Sequence, residues 1–436
     1  MIAVWEKGIG IGVTDSGKKK EEKEFLGGIF WNYGSLVIMS ASGFLFNCLI
    51  IFFYDASILG RFNKAYAWYC VLSQVSVWGI HMSVLQKIPE TKKNEKECKG
   101  QAASAILGGG IISILATFFA ECVLYFCLDR NTLFYEDIRL ILLGLPFFSI
   151  NKILLNYLNG LSKMKAYAVF QSLRYFFIAA AILVMGLLKM EGQFLTCSFT
   201  FAEAILLLIM FAYLNCIQML GGRVEWEYIL EHMKFGTKIL PANMVVELNT
   251  KVDIICLGFL VKNDAVIGIY SFAILFAEGF YQIYIVIRRS INPRLTEASA
   301  GRKLEEVFTE MDRALKKCFR WLSPFLIIAI MGFYYAVCLV LGKPEYFDGM
   351  KYLFVICAAM VINGRNIVYG NIFSQLGLPI VESGINVITV FSNFAMNICF
   401  ILLCGTMGAA AATAVSHCIY GRLIKKSINR KFGLSY

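Results

Sequence analysis

Apolar residues in this chain fall into long blocks separated by short polar stretches, with little of the strict alternation that marks half-buried strands. Segments of about 20 mostly apolar residues, the length needed to cross a bilayer as a helix, occur near 30–53, 66–86, 101–127, 138–158, 166–188, 194–219, 237–261, 265–287, 321–342, 350–370, 380–404 and 406–421. The pattern predicts an all-α polytopic membrane protein of about twelve transmembrane helices. Connections are short apart from the first two dozen residues and 288–320, so no room is left for a large catalytic domain outside the membrane.

Composition supports this class. Hydrophobic residues make up 58% of the chain and charged residues 16%, and the mean hydropathy is +0.66, values that fit a bilayer as main solvent. The net charge of +11 reflects 41 Lys and Arg, most of them in the tails and in the loops on one side. That bias places both termini in the cytoplasm and argues against a nucleic-acid surface, which would gather the charge on one face. Lys18–Lys20 and Lys425–Lys426 suit anionic headgroups.

The implied organisation is a cytoplasmic tail over 1–26, a six-helix lobe over 27–219, an amphipathic linker over 220–236, a second six-helix lobe over 237–424 and a basic cytoplasmic tail over 425–436. Within the second lobe, residues 302–320 place Leu304, Phe308, Met311 and Leu315 opposite Arg313, Lys316 and Lys317, which predicts a helix lying on the membrane. Two short similarities point to internal repetition. DASILGRF (55–62) resembles DAVIGIY (264–270), and NYLNGLSKMK (156–165) resembles NIFSQLGLPI (371–380). An even helix count in each half relates the two by a parallel repeat.

Several chemistries find no support. GVTDSGKK (12–19) matches G-x-x-x-x-G-K but lacks the final Ser/Thr and a preceding strand, so it does not read as a nucleotide-binding loop. Lys18, Lys19, Lys20 and Lys23 separate the apolar start from the first span, unlike a signal peptide. The 14 cysteines are dispersed without a C-x-x-C pair, and His81, His232 and His417 form no metal motif, so no cofactor is expected.

The informative positions are charges inside spans. The basic ones are Lys152, Arg174, Lys251 and Arg365, and the acidic ones are Glu203, Glu247, Asp253 and Glu278. In MVVELNTKVDIICL (244–257), Glu247 and Lys251 form an i, i+4 pair, and Asn249 and Asp253 form a second stripe. Met244, Val245, Leu248, Val252, Ile255 and Cys256 cover the opposite arc. The helix is expected to have one wet side.

Pro241, Asp253 and AVIGIYSFAILFAEGFYQIYIVIRRSINPRLTE (265–297) resemble the polysaccharide-flippase pattern of a helix carrying Asp, a G-x-Y entry into the next helix and a Pro at its cytoplasmic end. GTMGAAAAT (405–413) is similar to the small-residue entry into that family's last helix. The organisation from about Gly27 to Lys431 resembles Wzx-type O-antigen flippases of the multidrug/oligosaccharidyl-lipid/polysaccharide superfamily. The resemblance implies a V-shaped pair of six-helix lobes around a central cavity. It implies transfer of an undecaprenyl-pyrophosphate-linked oligosaccharide, for O-antigen or another surface polysaccharide, from the cytoplasmic to the periplasmic leaflet of the bacterial inner membrane.

Twelve helices argue against the lipid II flippase branch, which typically carries two more. The four basic residues are then expected to line a cationic lumen, Lys152, Arg174 and Arg365 receiving pyrophosphate and Lys251 offering the next site outward, with the carboxylates as counter-charges or sites for a coupling H+ or Na+. A polysaccharide polymerase and chain-length proteins are candidate partners. Two alternatives remain open: a multidrug or cation antiporter of the same superfamily, which four basic residues suit poorly, and a membrane polymerase or glycosyltransferase, which the short external segments DRNTLFYED and GKPEYFDGM suit poorly.

Overall fold

The computed structural model describes residues 15–300 and 304–434. The first fourteen residues of the expected tail, with the start of GVTDSGKK, lie outside the described residues, as do Arg302 and Lys303. The first half comprises α1 (Asp15–Phe53), α2 (Ala56–Val77), α3 (Ile80–Thr91), α4 (Glu95–Cys127), α5 (Leu133–Leu142), α6 (Leu145–Gly160), α7 (Met164–Leu187) and α8 (Cys197–Cys216). The second half comprises α9 (Trp226–Leu260), α10 (Asp264–Ala300), α11 (Leu304–Leu341), α12 (Gly349–Val368), α13 (Ile372–Gln375), α14 (Pro379–Cys404) and α15 (Thr406–Phe432). No strand occurs among the described residues.

Local chemistry explains where the helices start and stop. Asp55 caps α2 by accepting from the Ile58 amide at 2.9 Å, and Asn94 and Thr132 cap α4 and α5 in the same way, satisfying amides that the first turn leaves free. The span expected over 66–86 is broken at Trp78 and Gly79, both with positive φ (52° and 71°). That kink separates α2 from α3. Pro146 and Pro379 sit at the first turns of α6 and α14, where a missing amide costs nothing.

All twelve expected spans are helical. Nine segments among the described residues are long and apolar enough to cross a membrane by length and composition alone. The other three expected spans lie in α2–α3, α9 and α15. The first two carry the polar residues that face protein: Arg61, Asn63, Lys64, Gln74 and His81 of α2–α3 are buried, and α9 carries Glu247, Lys251 and Asp253. Lipid is instead met by helices such as α11, where Trp321, Phe325 and Ile328 are exposed.

In the first half, α1 packs on α7, and α3 and α4 pack on α6. In the second, α12 and α14 pack on α15, and α10 packs on α12. The two halves meet where α2 packs against α9 and α10, and where the start of α9 reaches α3 and α4. The segments expected to lie flat on the membrane do not. Residues 226–236 are the first turns of α9, and 304–320 is continuous with the span that follows. Phe308, Asp312, Leu315 and Phe319 are buried against the bundle, the Phe308 ring lying tilted against Tyr369 with centroids 4.8 Å apart. Apolar packing on neighbouring helices, not the bilayer surface, takes the amphipathic face.

Candidate functional site

A cavity of about 440 Å³ lies between the halves, walled by α1, α2, α7, α9, α10 and α11. Its polar lining is Ser40, Asn47, Asn63, Ser271, Gln282, Lys251 and Glu278, and its rings include Phe44, Tyr66, Tyr175 and Phe333. Lys251 Nζ lies 3.7 Å from Glu278 Oε1 and 5.5 Å from the Tyr66 ring centroid. Asn63 donates to Ser271 Oγ at 2.8 Å and to Asn47 Oδ1 at 3.3 Å, joining the halves at the cavity wall. Amide and hydroxyl groups beside aromatic faces can hydrogen-bond and stack on sugar hydroxyls and ring faces.

The eight charges expected inside spans divide into three groups. Lys152, Arg174, Glu203, Glu247, Lys251 and Glu278 lie in neighbouring contacts through the first half and its interface. The Lys152 ammonium donates to Gln74 Oε1 at 3.2 Å, and the Gln74 amide donates to Glu247 Oε2 at 3.3 Å, so a glutamine links a cation of one half to a carboxylate of the other. Lys152 and Arg174 both lie close to Phe148, 5.5 and 4.7 Å from its ring centroid. Arg174 Nε lies 2.7 Å from Glu203 Oε1, and Asn151 donates to Glu203 Oε2 at 2.7 Å and to its backbone carbonyl at 2.8 Å.

The second group is Asp253, which is 6% exposed. Its carboxylate accepts from the Tyr270 hydroxyl and the Ile254 amide, both at 2.9 Å, within the second half and away from the cavity lining. The wet side expected of α9 therefore ends at Lys251: Asn249 and Thr250 are exposed and Glu247 and Lys251 half-buried, whereas residues 252–257 are buried on every side. The pairing expected between those two is also replaced: Lys251 turns to Glu278 and Glu247 to Gln74.

Arg365 forms the third group. It meets Asp312 at 3.2 Å, and Asp312 also holds Lys316 at 3.0 Å. Of the four basic residues expected to line the lumen, Lys251 alone is among those walling this cavity.

Three buried cations escaped the sequence reading. Arg61 lies 3.5 Å from Asp137, Lys64 pairs with Asp264 across the interface, and Arg288 donates to the Ile367 carbonyl and to Asn371 Oδ1. All three fell just outside the expected spans, since α2 starts ten residues before 66 and α10 continues past 287. The bridging Gln74 and the ring of Phe148 gave no signal, because a lone amide or ring in an apolar run carries no mark of its tertiary partners. Among the described residues no cluster of His, Cys, Asp and Glu could hold a metal ion.

The fold of two helical halves around a central cavity is shared with solved transporters of the multidrug/oligosaccharidyl-lipid/polysaccharide superfamily. The chain is similar to the lipid II flippase MurJ in an inward closed conformation, with a TM-score of 0.72, 18% identity and coverage of 92% of this chain and 87% of that one. It is also similar to a multidrug resistance MATE family transporter in an inward-facing conformation (TM-score 0.68, 11% identity, 90% and 96% covered). A third similar structure is a superfamily transporter from Pyrococcus furiosus described as having a binding pocket of reverse polarity (TM-score 0.56, 11% identity, 92% and 95% covered). A family model, polysaccharide biosynthesis protein, matches residues 25–299. The chain belongs to that family. No curated protein matches it.

Proposed function

We propose that this protein flips an undecaprenyl-pyrophosphate-linked oligosaccharide, an O-antigen or related surface-polysaccharide repeat unit, from the cytoplasmic to the periplasmic leaflet by alternating access. The observation that carries the reading is the interhelical cavity, where one lysine sits among amides, hydroxyls and aromatic rings. A sugar headgroup and its pyrophosphate cannot cross hydrocarbon without polar partners. The cavity offers the sugar such partners, while the prenyl tail stays in lipid. Charge bias sets the Asp55 and Asp264 ends of α2 and α10 toward the periplasm.

In this reading Lys152 and Arg174, both close to the Phe148 ring, take the pyrophosphate first, and Lys251 exchanges Glu278 for it. Glu278 then carries a free charge or takes up a proton, one route to coupling. A second route is Asp253, whose helix packs on α14, where Thr389, Asn393 and Asn397 form a buried polar stripe. Arg365, held by Asp312, has its role in the second half and not in the cavity.

The test is a deletion strain of the producing bacterium, analysed by mass spectrometry of its prenyl-linked lipids. One undecaprenyl-pyrophosphate oligosaccharide should accumulate, and restoring the wild-type gene should clear it. Absence of any such lipid, together with a changed tolerance to cationic drugs, would favour export of small cations instead.

A further inference from the structure

The first half carries a second concavity on its outer wall, remote from the central cavity. α4 and α8 both pack on α6 and leave between them a groove of about 450 Å³. Its walls are apolar, among them Ile106, Ile111 and Ile114 of α4 and Phe211 of α8, and the loop at Met219–Gly221 closes one end. None of its lining residues lines the central cavity. From Lys99 to Ile114 it follows α4 for about 22 Å.

Two details distinguish this groove from an ordinary membrane-facing surface. The first is its glycine floor. In Gly108–Gly110, a Cβ at Gly109 would strike Ile153 and one at Gly108 would press on Ile229 at 3.1 Å, so these two allow close helix packing. Gly110 has no such neighbour: its Cβ would meet only Ile150, at an ordinary 3.8 Å. Gly110 therefore leaves a furrow open on the groove side with room for a Cβ. The second is charge. The end at Met219–Gly221 also holds Lys99, whose side chain is 20% exposed and paired at 2.6 Å with the more exposed Glu95. Exposed Lys92, Lys93, Lys96 and Arg223 lie in the adjoining segments, interspersed with Glu97, Glu225 and Glu227. An apolar furrow ending at a lysine matches a lipid with an alkyl chain below and a phosphate above, as basic pockets between spans hold anionic headgroups.

We infer that this groove is a binding site for an anionic glycerophospholipid, its phosphate at Lys99 and one acyl chain along Gly110 between α4 and α8. The polyprenyl substrate is the poorer occupant, because the groove that holds Lys99 shares no lining residue with the cavity that Lys251 lines. A bound chain replaces the dispersion contacts that the gap withholds from α4 and α8 and fixes the wall from which α6 presents Lys152.

The probes are phosphatidylglycerol and phosphatidylcholine of identical chains, added to delipidated full-length protein in mild detergent. Phosphatidylglycerol should raise Tm by several degrees more than phosphatidylcholine and survive as a one-lipid adduct in native mass spectrometry. Lys99→Ala should remove the preference for the anionic lipid. Gly110→Phe should abolish the adduct while leaving the lipid-free Tm near wild type, since Gly110 lines the open groove. Equal shifts from the two lipids, an adduct that persists in Gly110→Phe, or selective retention of undecaprenyl phosphate in place of phosphatidylglycerol would each overturn the assignment. If Gly110→Phe fails to fold, Gly110→Leu serves the same purpose.

Discussion

Gly60 and Gly268 face each other across the junction of the two halves. A Cβ on Gly60 would stand 2.9 Å from the Gly268 nitrogen, and one on Gly268 would stand 3.0 Å from the Gly60 nitrogen. Each would also strike a carbonyl four residues before the other glycine, Asp264 or Ala56. The contact is reciprocal, as expected where two related halves meet about a pseudo-symmetry axis. Lys64, one turn along α2, pairs with Asp264 over the same seam.

Either glycine changed to Val should therefore force α2 and α10 apart, an overpacking that costs on the order of 1–3 kcal/mol. In a cysteine-free background, Lys64→Cys with Asp264→Cys should cross-link readily and stop transport until the link is reduced. Adding Gly60→Val should lower the cross-linking yield. Unchanged yield would mean the seam is not held by the glycine contact.

The Arg174–Glu203 pair separates stability from transport. Glu203 is 1% exposed and Asn151 is fully buried beside it, so removal of Arg174 strands a carboxylate in a low-dielectric interior. Truncating one partner of such a pair typically costs on the order of 3–5 kcal/mol. Arg174→Ala should lower Tm and yield as well as transport, and Arg174→Met with Glu203→Gln should restore Tm while leaving transport impaired. Restoration of both would assign the pair to folding alone.

Much of the fold was legible in the sequence because bilayer crossing imposes a long, simple signal on each span. Even the similarity of DASILGRF to DAVIGIY had structural content: the two segments carry the glycines that touch. The site was less legible. Charges inside apolar runs are visible one by one, but whether Lys251 turns toward Glu247 on its own helix or Glu278 on the next is decided by packing that periodicity does not encode. Asp253 shows the same limit. Helical geometry placed it on a polar stripe with Asn249, and only the arrival of Tyr270 from α10 makes its own position an interior one while Asn249 stays exposed. Arg61, Lys64 and Arg288 were lost for a different reason, since a hydropathy threshold trims polar ends from helices that in fact continue.

Lys251 supports a graded prediction. Lys251→Ala removes the cavity's cation and leaves Glu278 without it, so flipping should fall at least tenfold, the change expected when about 1.4 kcal/mol of favourable interaction is lost from the transport step. Lys251→Arg keeps the charge and should retain a substantial fraction. Glu278→Gln should weaken transport less than Lys251→Ala if the carboxylate is displaced by substrate in any case. Full transport by well-expressed Lys251→Ala protein would remove the residue from the mechanism.

His232, before the span of α9, gives a pH prediction with a definite sign. It is 1% exposed, with Nδ1 2.8 Å from Ser83 Oγ and Nε2 3.2 Å from the Gln101 carbonyl. A carbonyl only accepts, so Nε2 carries the proton and the Ser83 hydroxyl donates to Nδ1. Burial lowers the imidazole pKa below its ordinary value, against a smaller opposing effect of the Gln101 carbonyl and Glu231. Between the folded and unfolded values the unfolded chain binds more protons, so stability is lost as pH falls through that window, starting near an unperturbed value of about 6.5. The neighbouring Glu231, whose pKa Lys87 lowers chiefly by hydrogen bonding, loses its contribution only at more acidic pH, below about 4.3. Tm measured in detergent from pH 8 to pH 5 should decline by several degrees in wild type, and His232→Gln should flatten that decline even if it lowers Tm at pH 8. An equally steep decline in His232→Gln would place the titrating group elsewhere.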